Sequence, residues 1–180
     1  MGQDKKGEQP VLLLATHNRH KVEEMTAILT ETFKAKPSET HEEQRFVSLL
    51  DFPDFKLPPE TGSTYRENAE EKAFAAANAT GHISLGDDSG LEIDALNGAP
   101  GIHSARWMGN CSQQEKNQKI LELLKNHAVD HRMARFRCFV AVCHPGEGQN
   151  QNVQTFEGTL EGFITGSASG IGGFGYDPIF

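Results

Sequence analysis

Val11-Leu12-Leu13-Leu14-Ala15, followed at once by Thr16-His17-Asn18, decides the fold class of this chain. An unbroken apolar run of this length suits a strand covered on both faces at the centre of a sheet. Beyond the turn, apolar residues fall at Val22, Met25, Ile28, Leu29 and Phe33, the spacing of a helix, and Asn18 is a natural cap at its start. Strand, loop and helix in that order open an α/β protein.

The pattern continues outward from there. Phe46 to Leu50 is expected to form a second strand, and the prolines between Pro53 and Pro59 make that stretch a loop. Thr64-Tyr65-Arg66-Glu67 is a capping box, in which hydroxyl and carboxylate satisfy the N–H groups of a helix start, and the helix is expected to run to about Thr80. Its alanines at 69, 73, 75, 76, 77 and 79 leave little bulk, so it is expected to lie close against a neighbouring backbone, with Gly81 as its stop. Ile83-Ser84-Leu85-Gly86 reads as a strand broken by the turn formers Asp87-Asp88-Ser89-Gly90 and resumed at Leu91-Glu92-Ile93.

A second capping box, Ser112-Gln113-Gln114-Glu115, opens a helix whose Ile120, Leu121, Leu123 and Leu124 are expected to face the core. Ala134 to Cys143 reads as a long strand, paired as an antiparallel hairpin with Val153 to Ile164, before the glycine-rich run Gly166 to Gly175. No repeat or domain boundary is visible. The expectation is a single domain over 11–180 behind a disordered N-terminus, residues 1–10.

Composition narrows the function classes. A net charge of -8 over 180 residues argues against nucleic acid or an anionic membrane as partner, since both call for a broad basic patch. A phosphate ligand would depend on locally gathered lysines, backbone N–H groups and a divalent cation. Cys111, Cys138 and Cys143 are odd in number with no CxxC spacing, and the polar Met1 to Pro10 lacks a signal peptide's apolar core, so a cytoplasmic location is expected.

Four segments carry candidate chemistry. Thr16, His17, Asn18, Arg19, His20 and Lys21 lie between a buried strand and a helix N-terminus, where unpaired N–H groups and the helix dipole favour phosphate; a plain capped loop is the competing reading. Asp87 and Asp88 point to opposite faces if extended, so one carboxylate can hold a metal or take a proton from metal-acidified water; a surface turn is the alternative. Asn68 and Lys72 share a helical face with Tyr65 and Ala76, which makes Lys72 either a phosphate ligand or a solvated cation, while Glu60 is a further oxygen ligand for a metal. Last, Gly172-Gly173-Phe174-Gly175-Tyr176-Asp177-Pro178 joins glycines that allow close approach with aromatics that can stack on a base. The eight histidines show no metal-ligand pattern.

In order along the chain these segments resemble the inosine triphosphate pyrophosphatase family, hydrolases of non-standard purine nucleotides. The resemblance rests on Ala15-Thr16-x-Asn18-x-x-Lys21, Glu60-Thr61-Gly62, Glu67-Asn68-Ala69, Lys72-Ala73, Asp87-Asp88-Ser89-Gly90-Leu91-Glu92, Gly98-Ala99-Pro100-Gly101, Ser104-Ala105-Arg106 and Gly172 to Pro178. It implies an α/β fold with an elongated mixed β-sheet flanked by helices, two lobes with a central nucleotide cleft, and a homodimer. It also implies hydrolysis of ITP, dITP and XTP to the monophosphate and pyrophosphate, with magnesium (Mg2+) as cofactor.

By matching position, Asp88 is implied as general base and metal ligand, Glu60 as a second metal ligand, and Ser89 as a substrate contact. Thr16 to Lys21 and Lys72 are implied to hold the triphosphate, and Phe174, Gly175, Tyr176 and Asp177 to line the base pocket, with Phe174 stacked on the purine. Departures are His17 and His20 in place of smaller loop residues and Pro59 in place of an acidic one. The family pattern also runs on, past the residue matching Phe180, into a lysine and a Ser-His-Arg segment, so the domain reads as C-terminally short. Two other readings compete: a nucleotidyltransferase-like use of Thr16 and His20, and a catalytically inactive nucleotide-binding module.

Overall fold

The computed structural model describes residues 11–35, 45–146, 152–170 and 172–180. The N-terminal stretch Met1 to Pro10 lies outside the described residues. Among the described residues five strands and three helices alternate in the α/β manner: β1 (Val11–Leu14), α1 (Arg19–Ala35), β2 (Arg45–Ser48), α2 (Tyr65–Thr80), β3 (Ile83–Ile93), α3 (Gln113–Leu124), β4 (Met133–Cys143) and β5 (Val153–Phe163). They form one mixed sheet in the order β2-β1-β3-β4-β5. β1 is parallel to both neighbours, with Val11 opposite Arg45 and Leu12 opposite Ile83. The expected hairpin of β4 and β5 is present: Arg135 meets Glu161 and Arg137 meets Glu157, partners that descend as the other strand ascends, and His144 N donates to Asn152 O at 3.2 Å.

Both capping boxes form. Glu67 N donates to Thr64 Oγ1 at 3.1 Å and Thr64 N to Glu67 Oε2 at 3.2 Å, while Ser112 and Glu115 exchange the same bonds at the start of α3. These bonds hold the Glu67 and Glu115 carboxyls below the usual carboxylate range, the Ser63 hydroxyl being the largest cause for Glu67 and the Ser112 hydroxyl for Glu115.

Three expectations need correction. The break at Asp87 to Gly90 does not occur: β3 is a single strand from Ile83 to Ile93, lying between β1 and β4. Sheet pairing overrides the turn preference of Asp, Ser and Gly. The second strand ends at Ser48, because Ser48 and Asp51 form a capping box of their own and wind Leu49–Asp51 into a 3-10 turn. In α3, Ile120 and Leu124 are fully buried one turn apart, but Leu123 is 42% exposed and faces outward.

The chain divides into two compact units, and β3 crosses from one into the other between Asp87 and Asp88. The first, residues up to Thr61 with Asn68–Asp87 and Val140–Thr155, has a core of Leu13, Ala15, Leu49 and Ala76. The second, Gly62–Glu67, Asp88–Phe139 and Phe156–Phe180, is built around Leu91, Ile93, Ile120, Leu124, Ile164 and Ile179.

The alanine helix approaches a backbone as expected. A Cβ on Gly86 would stand 2.5 Å from the Ala69 carbonyl oxygen and 2.6 Å from the Ala73 nitrogen, so α2 rests directly on β3 at a position with room for no side chain. Gly86→Ala is expected to destabilise the protein by about 1–3 kcal/mol in urea unfolding, the usual cost of overpacking. Gly158→Ala, where an added methyl meets nothing within 4 Å, should show no such loss.

Candidate functional site

In the first unit, the loop after β1 is organised by its own short side chains. Thr16, 9% exposed, accepts from Asn18 N at 3.1 Å through its hydroxyl, and Asn18 Oδ1 accepts from His20 N at 3.0 Å. The Asn18 carbonyl accepts the first helical bond, from Val22 N, so Asn18 is the N-cap of α1 as expected. Thr16 to Lys21 thus sit at the positive end of a 17-residue helix, a setting that favours an anion. His17 is exposed, with Nε2 3.2 Å from the carbonyl of Phe55 in the proline-rich loop, and Arg19 and His20 are also exposed.

Two lysines converge on one residue of β3. Lys21 Nζ forms an ion pair with the carboxylate of Asp87. Lys72 Nζ donates to the Asp87 main-chain carbonyl at 2.9 Å and pairs with Glu60 Oε1 at 2.5 Å. The helical spacing that joined Tyr65, Asn68, Lys72 and Ala76 is borne out, all four being buried, and Lys72 at 9% exposure is not a solvated cation. Asp87 itself, 4% exposed, was weighed in the sequence together with Asp88, but the implied role went to Asp88 alone. Its type gave no signal, because a second aspartate in a turn-forming run looks like surface.

Asp88, the first β3 residue of the second unit, is 5% exposed, and Ser89 beside it is half-buried. Alternation along the extended strand sends the Asp87 and Asp88 side chains to opposite faces. Among the described residues no three His, Cys, Asp or Glu side chains gather as a metal-binding group.

Within the second unit Tyr65 stacks on Phe139, with centroids 6.2 Å apart and planes 7° from parallel, and the Arg137 guanidinium lies over both rings. The Tyr65 hydroxyl is buried without a hydrogen bond of acceptable geometry among the described residues. Burial first, then the nearby charge of Glu92 and more weakly that of Asp88, push its pKa well above the ordinary phenol value. A Cβ on Gly90 would come within 2.9 Å of that hydroxyl and 2.7 Å of Ser104 Oγ, which explains the glycine two residues after Asp88.

The glycine-rich segment is a fixed turn. Asp177 Oδ2 accepts from Phe174 N at 2.8 Å, Asp177 N returns a bond to Phe174 O at 3.2 Å, and Gly173 and Gly175 take positive φ of 75° and 63°. The Gly175 carbonyl accepts from Asn117 Nδ2 at 3.1 Å. Tyr176 is a core residue, 5% exposed, whose hydroxyl donates to the Ser104 carbonyl at 2.9 Å; burial pushes its pKa up to about 12. Phe174 stays half-buried. Asn117 was missed in the sequence, and its one signal was an amide on the buried face of α3.

Comparison with known proteins gives a consistent picture. The model of the Ham1 family matches residues 12–180. Proteins named dITP/XTP pyrophosphatase from Desulforamulus reducens and Geobacter sulfurreducens are each 45% identical over 170 residues, covering 94% of this chain and 78% of theirs. The solved structure of a HAM1 protein from Coxiella burnetii is similar with TM-score 0.76 and 38% identity, covering 95% of this chain and 81% of that one. The Staphylococcus aureus Ham1 protein follows with TM-score 0.72 and 36% identity, covering 94% and 80%.

Lys72→Met keeps the length of the side chain but removes the donor from the buried Asp87 carbonyl and the partner of Glu60. A loss of about 1–3 kcal/mol is expected in urea unfolding, the cost of a buried acceptor left unsatisfied. An unchanged midpoint would mean that the ion pair is incidental.

Proposed function

The chain belongs to the Ham1 family, and on that premise we propose that it hydrolyses the non-standard purine nucleotides ITP, dITP and XTP to monophosphate and pyrophosphate. The observation that carries the reading is the meeting of a helix N-terminus and two lysines, Lys21 and Lys72, at the buried acidic stretch of β3. Cations and N–H groups offset the triphosphate's charge, and a carboxylate accepts the proton of the attacking water.

In this reading Thr16, His17, Asn18, Arg19, His20 and Lys21 hold the triphosphate together with Lys72. Asp88 is the general base: it takes the proton from a water whose oxygen attacks the α-phosphorus. The bond from that phosphorus to the oxygen bridging toward the β-phosphate breaks, and pyrophosphate leaves with its charge facing the lysines. Ser89 contacts substrate beside the base. Phe174 stacks on the purine, and Gly175, Tyr176 and Asp177 shape and hold the turn that presents it.

The donor set fits magnesium. Its carboxylates are hard oxygen ligands, and magnesium is commonly held by one or two carboxylates together with substrate phosphates, with no dedicated protein cage. We assign Asp88 and Glu60 as the residues that hold it. When bound, Mg2+ acidifies the attacking water and offsets phosphate charge. A cytoplasmic homodimer is part of the same proposal.

Pyrophosphate release from ITP, XTP, ATP and GTP by the purified protein with magnesium tests the reading directly. Turnover confined to ITP and XTP is the expected outcome, and equal turnover of ATP would remove the assigned specificity. Asp88→Asn should lower kcat about 10²–10⁴-fold, the usual worth of a general base, with an unchanged circular dichroism spectrum. Full activity in that variant sinks the mechanism.

A further inference from the structure

Of Lys21, Lys72, Glu60 and Asp87, the charged groups that meet in the first unit, Asp87 is given no task by the proposed reaction. Its side chain is 5% exposed, and the backbone just before it is packed tightly, Gly86 lying against Ala69 and Ala73 of α2. Lys21, in contrast, brings its ammonium on a long side chain from the first turn of α1, and that side chain is 20% exposed. The pair is therefore a buried anion holding the end of a long, partly exposed side chain. Lys72, held by the Asp87 carbonyl at 2.9 Å and by Glu60 at 2.5 Å, is anchored from two sides.

An ammonium has three donors, and any phosphate that Lys21 binds must share or displace the carboxylate already on it. We propose that Asp87 is a positioning residue that competes with phosphate for Lys21 and so limits how tightly the pyrophosphate product is held. The inference rests on the reading that Lys21 binds the triphosphate. Substrate has its base and sugar as further anchors, whereas pyrophosphate is held through its phosphates alone. A counter-charge that takes Lys21 back therefore speeds product release without depriving the substrate of its other contacts.

Calorimetric titration of inorganic pyrophosphate with Mg2+ into the wild-type chain, Asp87→Asn, Lys21→Met and the double variant tests this. Asp87→Asn should bind pyrophosphate about tenfold tighter, a shift of about 1.4 kcal/mol, and kcat and KM for ITP should fall together. Lys21→Met should bind it more weakly, and adding Asp87→Asn to that variant should change nothing further. Unchanged or weaker binding by Asp87→Asn overturns the inference, as does a gain that persists without Lys21. A purely structural role for Asp87 would not tighten pyrophosphate binding.

Lysine ammonium 15N resonances of the wild-type protein, with Lys21 assigned through Lys21→Met, give a second readout that does not require Asp87→Asn to fold. The Lys21 signal should shift on saturation with pyrophosphate and Mg2+, and a signal that stays in place overturns the proposal. A wild-type protein that shows the expected binding pattern but releases no pyrophosphate from any triphosphate would instead remove the proposed reaction and leave the competition at Lys21 standing.

Discussion

The approach of α2 to β3 is the constraint on which the first unit depends. Ala69 and Ala73 present only methyl groups, and Gly86 presents no side chain, so helix and strand meet at backbone distance. Lys72 lies between those two alanines, and the next strand residue after Gly86 is Asp87. The same closeness that forbids a Cβ at Gly86 brings the lysine ammonium within 2.9 Å of the Asp87 carbonyl. With ordinary side chains at the contact the helix would stand off, and a lysine on that face would reach water. Small residues here have an electrostatic consequence: they permit a buried cation at a fixed place.

A buried charge persists only when it is paired and hydrogen-bonded. Lys72 meets that condition with one carboxylate and one carbonyl, and Asp87 meets it with Lys21. Such pairs add little net stability over apolar residues of the same volume, and their effect is to fix geometry. They also bear on the net charge of -8, which argues against any broad affinity for polyanions. Here the cations are few, local and partly neutralised, an arrangement that can admit phosphate at one point without attracting nucleic acid over the whole surface.

Much of this was legible in the sequence, for reasons that differ by element. The capping boxes at Thr64 and Ser112 were readable because they satisfy backbone N–H groups with residues three apart, independent of anything distant. The alanine run announced close packing, and the buried face through Tyr65, Asn68, Lys72 and Ala76 followed from helical spacing. The continuity of β3 was not legible, because Asp87 to Gly90 have local turn preferences and only the sheet on either side overrides them. The partnership of Lys21 with Asp87 spans 66 positions and is set by where α1 meets β3, which no local pattern encodes. The 3-10 turn after Ser48 and the outward face of Leu123 were likewise decided by details finer than periodicity.

The second unit applies the same economy of motion to its aromatic turn. Gly173 must be glycine twice over: its φ is 75°, and a Cβ there would collide with the Asp177 carboxylate that caps Phe174 N. Asn117 holds the Gly175 carbonyl from α3, and Tyr176 is sunk in the core with its hydroxyl on the Ser104 carbonyl. The three residues after Phe174 are thereby held by hydrogen bonds, while Phe174 remains half-buried. With its backbone bonded on both sides, Phe174 starts from a main chain already ordered in folding, which lowers the ordering cost of any contact its ring makes. The glycines that make the segment look flexible in sequence are what allow it to be rigid in the fold.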